Sequence, residues 1–207
     1  MSILLYPPYI QWEVVSDCNH KCIHCYNYWR ADNIDVVKHS DFNAITEQII
    51  ARKPVYVAVT GGEPLLVFPQ IKPCIQKMID SGIRVSVSSN GTLITEETAD
   101  FYECNNIDTV ISFPSIDPEI CDAVCNAENV AERLISRLEI LKRHNVQTTI
   151  NIVLTKLNLP TLYDTLKAVK EWGFTARVGI AQRPINASKE YIRYELDRDD
   201  FRHIVKE

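Results

Sequence analysis

Three cysteines lie within eight residues near the start of the chain, and this spacing constrains the fold more than any other feature. Cys18, Cys22 and Cys25 form a C-x3-C-x2-C pattern. Three thiolates this close can surround one compact metal site, and as soft ligands they suit iron–sulfur clusters or zinc. In a cubane iron–sulfur cluster, the three thiolates would bind three of the four irons. The fourth iron would stay open to an exogenous ligand, just as a catalytic zinc ion keeps one open position.

The cysteine pattern allows two other interpretations. His20 or His24 could complete a structural zinc site, and the three cysteines could also be ordinary buried thiols. The position of the triplet favours a cluster, because it falls in the long segment 16–40 directly after the first predicted strand. Long loops in compact domains are usually functional, and the active sites of parallel β/α barrels lie at this end of the strands.

The rest of the chain alternates short apolar runs rich in Val and Ile with amphipathic stretches. Nearly continuous apolar runs predict parallel strands that are covered on both faces. Repeated right-handed strand–helix units form a parallel barrel or an open sheet. The predicted strands are 10–15, 55–60, 85–88, 109–113, 148–154 and 176–181. The predicted helices are 41–51, 68–81, 96–104, 127–144, 161–172 and 198–207.

The segment 12–26, W-E-V-V-S-D-C-N-H-K-C-I-H-C-Y, resembles the radical S-adenosylmethionine (radical SAM) superfamily. More narrowly, it resembles the core of peptide- and protein-modifying members, which often carry a C-terminal SPASM or twitch extension. The resemblance runs from about Tyr9 to about Ala181. It implies an α/β fold, the partial (β/α)6 TIM-like barrel of parallel strands that forms the radical SAM core. It also implies that the cysteine triplet binds a [4Fe–4S] cluster and that S-adenosylmethionine is the second cofactor.

A Gly61-Gly62-Glu63-Pro64 sequence follows the second predicted strand. Taken alone, it predicts only a strand-to-helix turn, with two glycines that allow the backbone to approach a ligand closely. In the family that it resembles, this motif holds the amino group of S-adenosylmethionine. The resemblance therefore implies that Gly61, Gly62 and Glu63 bind this cofactor.

Polar residues at the ends of later strands complete the candidate site. The resemblance implies that Ser89 and Asn90, after the third strand, and Ser112, in the fourth, face the cofactor. Asn151 lies within an apolar strand, where a polar residue is either hydrogen-bonded in the core or in contact with a ligand; the resemblance favours the ligand. Pro114-Ser115 replaces the Asp-Gly that the family usually shows, at the mouth of the barrel where substrate would lie.

The resemblance implies reductive cleavage of S-adenosylmethionine to a 5′-deoxyadenosyl radical, which abstracts hydrogen from a substrate. The expected substrate is a peptide or protein side chain, as in maturases of ribosomally made peptides, and an external flavodoxin- or ferredoxin-type protein would supply electrons. No catalytic residue is assigned. One alternative is a radical SAM enzyme that acts on a small molecule, such as a deazapurine synthase, or a glycyl-radical activase. Another is a non-catalytic fragment that binds an iron–sulfur cluster or zinc.

Composition excludes several other classes of protein. The formal net charge of -5 argues against non-specific binding to nucleic acid. No apolar run approaches the roughly 18 residues of a membrane span, and no signal peptide is recognisable. We therefore expect a cytoplasmic protein. Seven cysteines, an odd number, do not suggest a disulfide framework.

The C-terminal part of the chain predicts a single core domain over 1–207. No cysteine follows Cys125, so no SPASM or twitch extension is expected, and the final predicted helix is cut at the C-terminus. A partner chain or a missing C-terminal domain would then complete the substrate site. Cys121 and Cys125 form a C-x3-C pair, which we interpret as ordinary buried thiols rather than a second metal site.

Overall fold

A computed structural model of the chain describes residues 7–25, 41–183 and 189–200. Its strands are β1 (Tyr9–Glu13), β2 (Tyr56–Thr60), β3 (Arg84–Ser89), β4 (Asp108–Ser112), β5 (Thr148–Leu154) and β6 (Thr175–Ile180). Its α-helices are α1 (Phe42–Arg52), α2 (Phe68–Asp80), α3 (Glu96–Cys104), α4 (Pro118–Cys125), α5 (Val130–Arg143) and α6 (Leu162–Glu171). Short 3-10 helices span Pro64–Val67, Leu159–Thr161 and Lys189–Tyr194.

The six strands form one parallel sheet in the order β1-β2-β3-β4-β5-β6. Each strand therefore lies beside the strand that precedes it in sequence, which is the order that a partial (β/α)6 barrel requires. The predicted α/β class with parallel strands is confirmed. Because all strands run the same way, their carboxyl ends, and the segments that follow them, emerge at the same edge.

Local signals explain where the helices begin. The Thr95 hydroxyl accepts a hydrogen bond from the backbone N–H of Thr98 at 3.2 Å and caps α3. In α2, Ile71, Ile75 and Met78 recur at helical spacing, and all three are fully buried. That apolar stripe anchors the helix to the core.

The predicted helix over 127–144 corresponds to α5, which begins three residues later, and the structure has a further helix before it, α4, that was not predicted as a separate element. Asp117 caps α4 by accepting hydrogen bonds from two backbone N–H groups, and Pro118 occupies its first turn. Asn126 ends α4 in a left-handed conformation with φ 48°. The Asp122 carboxylate then accepts hydrogen bonds from the backbone of residues 129 and 130, where α5 begins.

The expectation that every strand is covered on both faces holds for β2 but fails for β6. Val57 and Val59 of β2 are fully buried. In β6, five of the six residues are exposed, including Val178 and Ile180. Among the described strands, β6 is the last in the order and pairs with β5 alone, so it has fewer neighbouring side chains to cover it than a central strand has.

By its internal contacts the chain divides into two units. The first has the described residues 7–19, 41–111 and 137–148, and the second has 20–25, 112–136, 149–183 and 189–200. No helix in the described part of the chain is long and apolar enough to cross a bilayer. Most of the predicted long loop, 26–40, and residues 201–207 of the last predicted helix lie outside the described residues.

Candidate functional site

The two glycines after β2 let the cysteine-bearing loop pack directly against the strand end. A Cβ built on Gly61 would lie 2.4 Å from the Val15 carbonyl oxygen, and one built on Gly62 would lie 2.1 Å from that of Asp17. Gly62 also donates a backbone hydrogen bond to Val15, and Glu63 donates one to Asp17. Within the described residues, the close approach that the glycines allow is therefore to the backbone just before Cys18.

The buried Glu63 carboxylate joins the ends of β2 and β3. Its Oε1 accepts hydrogen bonds from the Ser89 hydroxyl at 2.8 Å and from the backbone N–H of Leu65 at 2.9 Å. Its Oε2 accepts one from the backbone N–H of Asn90 at 2.8 Å. The side chain has no exposed surface. A buried carboxylate needs such donors, so Glu63 fixes the position of the segment that carries Ser89 and Asn90.

Asn90 reaches the first cysteine of the triplet. Its side-chain Nδ2 lies 3.8 Å from the Sγ of Cys18 and donates to the Oδ1 of Asn19 at 2.7 Å. Its Oδ1 accepts hydrogen bonds from the backbone and hydroxyl of Thr92 at 3.0 and 2.7 Å. These contacts orient the amide so that N–H, and not oxygen, faces the sulfur. An N–H aimed at a thiolate stabilises it and tunes a bound metal centre.

The other two cysteines of the triplet lie in a tight turn of the second unit. The backbone N–H of Cys25 donates to the carbonyl of Cys22 at 3.0 Å. The same turn is held to the C-terminal end of α4 by Lys21 N–H donating to Cys125 and Ile23 N–H donating to Val124, at 3.2 and 3.0 Å. The loop therefore rests on a helix that the sequence pattern did not predict as a separate element.

This contact brings Cys125 beside Cys22. Donor atoms of His20, Cys22 and Cys125 all lie within 4.8 Å of one another. A hydrogen bond from the Cys125 thiol is the main cause that lowers the pKa of the Cys22 thiol to about 5. Contacts with Cys121 and Cys22, together with burial, raise the pKa of Cys125. A lowered pKa favours the thiolate form of Cys22, which is the form that binds metals.

Cys121 and Cys125 are buried, as predicted, but Cys125 is more than an ordinary buried thiol. Its contact with Cys22 joins positions a hundred residues apart, which no local pattern reveals. The one sequence signal for this cysteine contact is the C-x3-C spacing of Cys121 and Cys125, because residues four apart on a helix lie on the same face.

Ser112 and Asn151 lie on neighbouring strands of the second unit. The N–H of Phe113 donates to the carbonyl of Asn151 at 3.1 Å, and Ser112 is half-buried at the end of β4. The Asn151 Oδ1 accepts a hydrogen bond from the Nε of Arg177 at 3.0 Å. Asn151 is thus a hydrogen-bonded polar residue within a strand, and its contact with a cofactor stays a prediction.

The predicted site residues divide between the two units. Those of the first unit are Cys18, Gly61, Gly62, Glu63, Ser89 and Asn90. Those of the second are Cys22, Cys25, Ser112 and Asn151. Within the first unit, contacts join the Cys18 loop, the glycine pair, Glu63 and Asn90 into one network.

Residues 12–169 match the Radical SAM superfamily. Among curated proteins, the chain is 28% identical over 177 residues to an AdoMet-dependent heme synthase of Methanosarcina barkeri, covering 82% of this chain and 49% of that protein. It is 22% identical over 172 residues to the antilisterial bacteriocin subtilosin biosynthesis protein AlbA of Bacillus subtilis, covering 82% of this chain and 38% of that protein. The chain thus spans about half the length, or less, of these relatives.

A solved structure shares the fold. It is native anSMEcpe with bound AdoMet and Kp18Cys peptide, which superposes with a TM-score of 0.80 at 21% identity. The match covers 97% of this chain and 59% of that one. At this level of identity the likeness establishes the fold.

Proposed function

Because the chain belongs to the radical SAM superfamily, we propose that Cys18, Cys22 and Cys25 hold its [4Fe–4S] cluster. The family is one of enzymes whose cofactors are this cluster and S-adenosylmethionine. The observation that carries the assignment is the Asn90 amide at 3.8 Å from the Cys18 sulfur. Three thiolates with an N–H aimed at one of them are a donor set suited to an iron–sulfur cluster.

A [4Fe–4S] cluster held by Cys18, Cys22 and Cys25 would supply the electron for the reductive cleavage of S-adenosylmethionine to methionine and a 5′-deoxyadenosyl radical. The protein's own residues contribute position. Gly61 and Gly62 admit the loop that carries Cys18, and Glu63 fixes Ser89 and the Asn90 backbone beside it. We propose that seven residues contact S-adenosylmethionine: Gly61, Gly62, Glu63, Ser89, Asn90, Ser112 and Asn151.

We propose a peptide or protein side chain as the substrate. The support is the likeness to a bacteriocin biosynthesis protein and the shared fold with an enzyme solved with a bound peptide.

Pro114 and Ser115 lie directly after β4, where we expect the substrate to bind. The Ser115 hydroxyl is buried and lies 2.8 Å from that of Thr161. Asn158 donates to the carbonyl of Pro114 at 3.0 Å. These bonds give the segment a fixed shape.

A small-molecule substrate is the second candidate. It is favoured by the 28% identity to an AdoMet-dependent heme synthase, which is higher than the identity to the bacteriocin protein. The chemistry shared by the two candidates is hydrogen abstraction, and they differ in what binds beside the cofactor.

The first experiment tests the cluster and the cleavage. The protein is reconstituted anaerobically with iron and sulfide, reduced with dithionite and supplied with S-adenosylmethionine, and 5′-deoxyadenosine is measured. We expect product from the wild type and from Cys104→Ala, which removes an exposed cysteine of α3. Cys18→Ala, Cys22→Ala and Cys25→Ala should each lose the cluster absorbance and the product. Product from all three single variants would refute the assignment.

The second experiment separates the substrates. Uniformly deuterated short peptides that contain cysteine, serine and tyrosine form one arm, and iron tetrapyrroles form the other. Deuterium in 5′-deoxyadenosine from the peptide arm supports the first candidate. Faster 5′-deoxyadenosine release with tetrapyrroles alone supports the second.

We also propose that a flavodoxin- or ferredoxin-type protein reduces the cluster and that the protein acts in the cytoplasm. The low potential of such clusters requires a strong one-electron donor. Replacing dithionite by a reduced flavodoxin tests the first proposal directly, since product formation should then depend on flavodoxin concentration. Cell fractionation tests the second.

A further inference from the structure

A second set of metal-binding side chains lies beside the triplet, and it shares one member with it. One ring nitrogen of His20 and the sulfurs of Cys22 and Cys125 lie within 4.8 Å of one another. Cys125 is not part of the C-x3-C-x2-C pattern, and His20 lies inside it as a spacer residue. All three residues belong to the second unit of the chain.

The backbone holds these three side chains together. Hydrogen bonds from Lys21 to Cys125 and from Ile23 to Val124 tie the turn to the end of α4 on both sides of Cys22. His20 and Cys125 are 6% and 5% exposed, so neither side chain is free to swing into solvent. A site whose donors are already gathered loses less conformational entropy when the metal binds.

The donor chemistry selects the metal. One imidazole and two thiolates suit Zn²⁺, whose bonds to nitrogen and sulfur are about 2.0 to 2.3 Å long. They do not suit Mg²⁺ or Ca²⁺, which take oxygen ligands. A single ion draws its ligands closer together than a cubane does, because each thiolate of a cubane sits on a different iron. Donors within 4.8 Å therefore fit one ion after a small inward movement.

We propose that the cluster-free protein binds one Zn²⁺ through His20, Cys22 and Cys125, with water as the fourth ligand. Zn²⁺ takes both sulfurs as thiolates, so the Cys125 thiol proton, and any proton still on Cys22, goes to solvent, and no redox change is involved. Since Cys22 cannot serve both centres, zinc and the [4Fe–4S] cluster exclude one another. The zinc-bound form is a protected state of the cluster-free protein, in which the metal ion shields the Cys22 thiolate of the cluster site from reaction.

Metal titration of the cluster-free protein tests the proposal without any activity measurement. Co²⁺ is the probe, because tetrahedral thiolate coordination gives it visible and charge-transfer absorption, and Zn²⁺ affinity follows from displacement. We expect one equivalent to bind to the wild type. Cys125→Ser and His20→Gln each remove a direct ligand and should weaken binding by about 100-fold, the upper end of the effect that loss of an outer contact has. Cys18→Ala and Cys104→Ala should bind as the wild type does.

The variants separate this site from zinc held by the triplet. Loss of binding in Cys18→Ala with retention in Cys125→Ser would overturn the proposal. Alkylation of the unmodified wild type provides a second measurement that does not depend on how a variant folds. Zn²⁺ should protect Cys22 from N-ethylmaleimide and leave the exposed Cys18 modified at its zinc-free rate. Equal protection of Cys18 would contradict the assignment.

Competition with cluster assembly is the third measurement. One equivalent of Zn²⁺ added before iron and sulfide should lower iron incorporation into the wild type several-fold, and the effect should be smaller in Cys125→Ser. Equal inhibition of both proteins would show that zinc acts elsewhere and would overturn the shared role of Cys22.

Discussion

The side-chain amide nitrogen of Asn90 lies 3.8 Å from the sulfur of Cys18. The two residues are 72 positions apart, and the contact joins the end of β3 to the loop after β1. Asn19 and Thr92 hold the amide with its N–H side toward the sulfur. The contact therefore links the cysteine pattern to the strand-end motifs in physical terms, as an N–H group that faces the sulfur of a proposed cluster ligand.

Removing this amide should lower the reduction potential of the bound cluster. Asn90→Ala deletes the N–H that withdraws charge from the Cys18 thiolate, and outer contacts of this kind change affinity or activity by about 10- to 100-fold. We expect the cluster to assemble, its midpoint potential to fall, and 5′-deoxyadenosine formation to slow by about tenfold. Redox titration followed by electron paramagnetic resonance measures the potential. Asn105→Ala, at the end of α3, is the matched control, and an identical potential in both variants would contradict the role of Asn90.

Gly62→Ala should destabilise the protein even before any cofactor binds. The new Cβ would lie 2.1 Å from a backbone carbonyl oxygen of Asp17, and backbone cannot move aside as a flexible side chain can. Overpacking of this kind costs about 1–3 kcal/mol or more. Urea unfolding of the cluster-free protein measures the change. Gly179→Ala in β6 is the control, because a Cβ there meets nothing within 4 Å. Equal stability of the two variants would show that the loop after β1 can move away.

Glu63→Gln should cost stability as well as cofactor binding. Both carboxylate oxygens accept hydrogen bonds from the chain itself, and the glutamine amide would turn an N–H₂ group toward one of those donors. Hydrogen bonds to a charged acceptor contribute about 1.5–3 kcal/mol, so we expect a loss of about 2 kcal/mol in the free energy of unfolding. Glu139→Gln, on the exposed side of α5, should change it little. A Glu63→Gln protein as stable as the wild type would limit the role of Glu63 to cofactor binding.

His144 should make stability depend on pH. Its ring nitrogens lie 2.9 Å from Glu96 and 3.2 Å from Glu103, and the hydrogen bond with Glu96 is the main cause that raises the pKa of His144. A raised pKa means that the contribution is fully present below the unfolded pKa of about 6.5. It is lost as pH rises through the higher folded value.

The measurement is the difference in unfolding free energy between the wild type and His144→Gln from pH 5.5 to 9. We expect the difference to be largest at the acidic end and to shrink toward pH 9. Arg143 also binds Glu96, and Asn145 binds Glu103, so part of the contact persists when the histidine is neutral. Glu96→Gln should flatten the pH dependence in the same way. A difference that grows with pH would reverse the assigned direction.

Much of the fold follows from local pattern. The predicted bounds of β5 match the structure, and those of the other strands agree within one or two residues, because runs of β-branched residues between turn signals are a local property. The glycine pair at 61–62 was also readable from the sequence, although its structural partner was not. The pattern predicts that the glycine backbone can approach a ligand closely, and the structure shows that it approaches the backbone of Val15–Asp17.

What the sequence did not predict depends on distant contacts. The break between α4 and α5 rests on Asp122, whose carboxylate caps a helix that begins eight residues later. The local signal for α4 is Asp117 before Pro118, a capping residue followed by a proline that suits the first helical turn. The pairing of Cys22 with Cys125 joins segments a hundred residues apart, and no period or spacing contains that information.

The packing of Gly61 and Gly62 against Val15–Asp17 also sets an order of events during synthesis. The cysteine triplet is complete at Cys25, but the glycine pair that shapes its loop begins 36 residues later in the chain. At ordinary elongation rates this interval lasts several seconds. The loop therefore reaches its final shape only after the second strand has been made, and the turn of Cys22 and Cys25 waits longer still, until the end of α4 has been made.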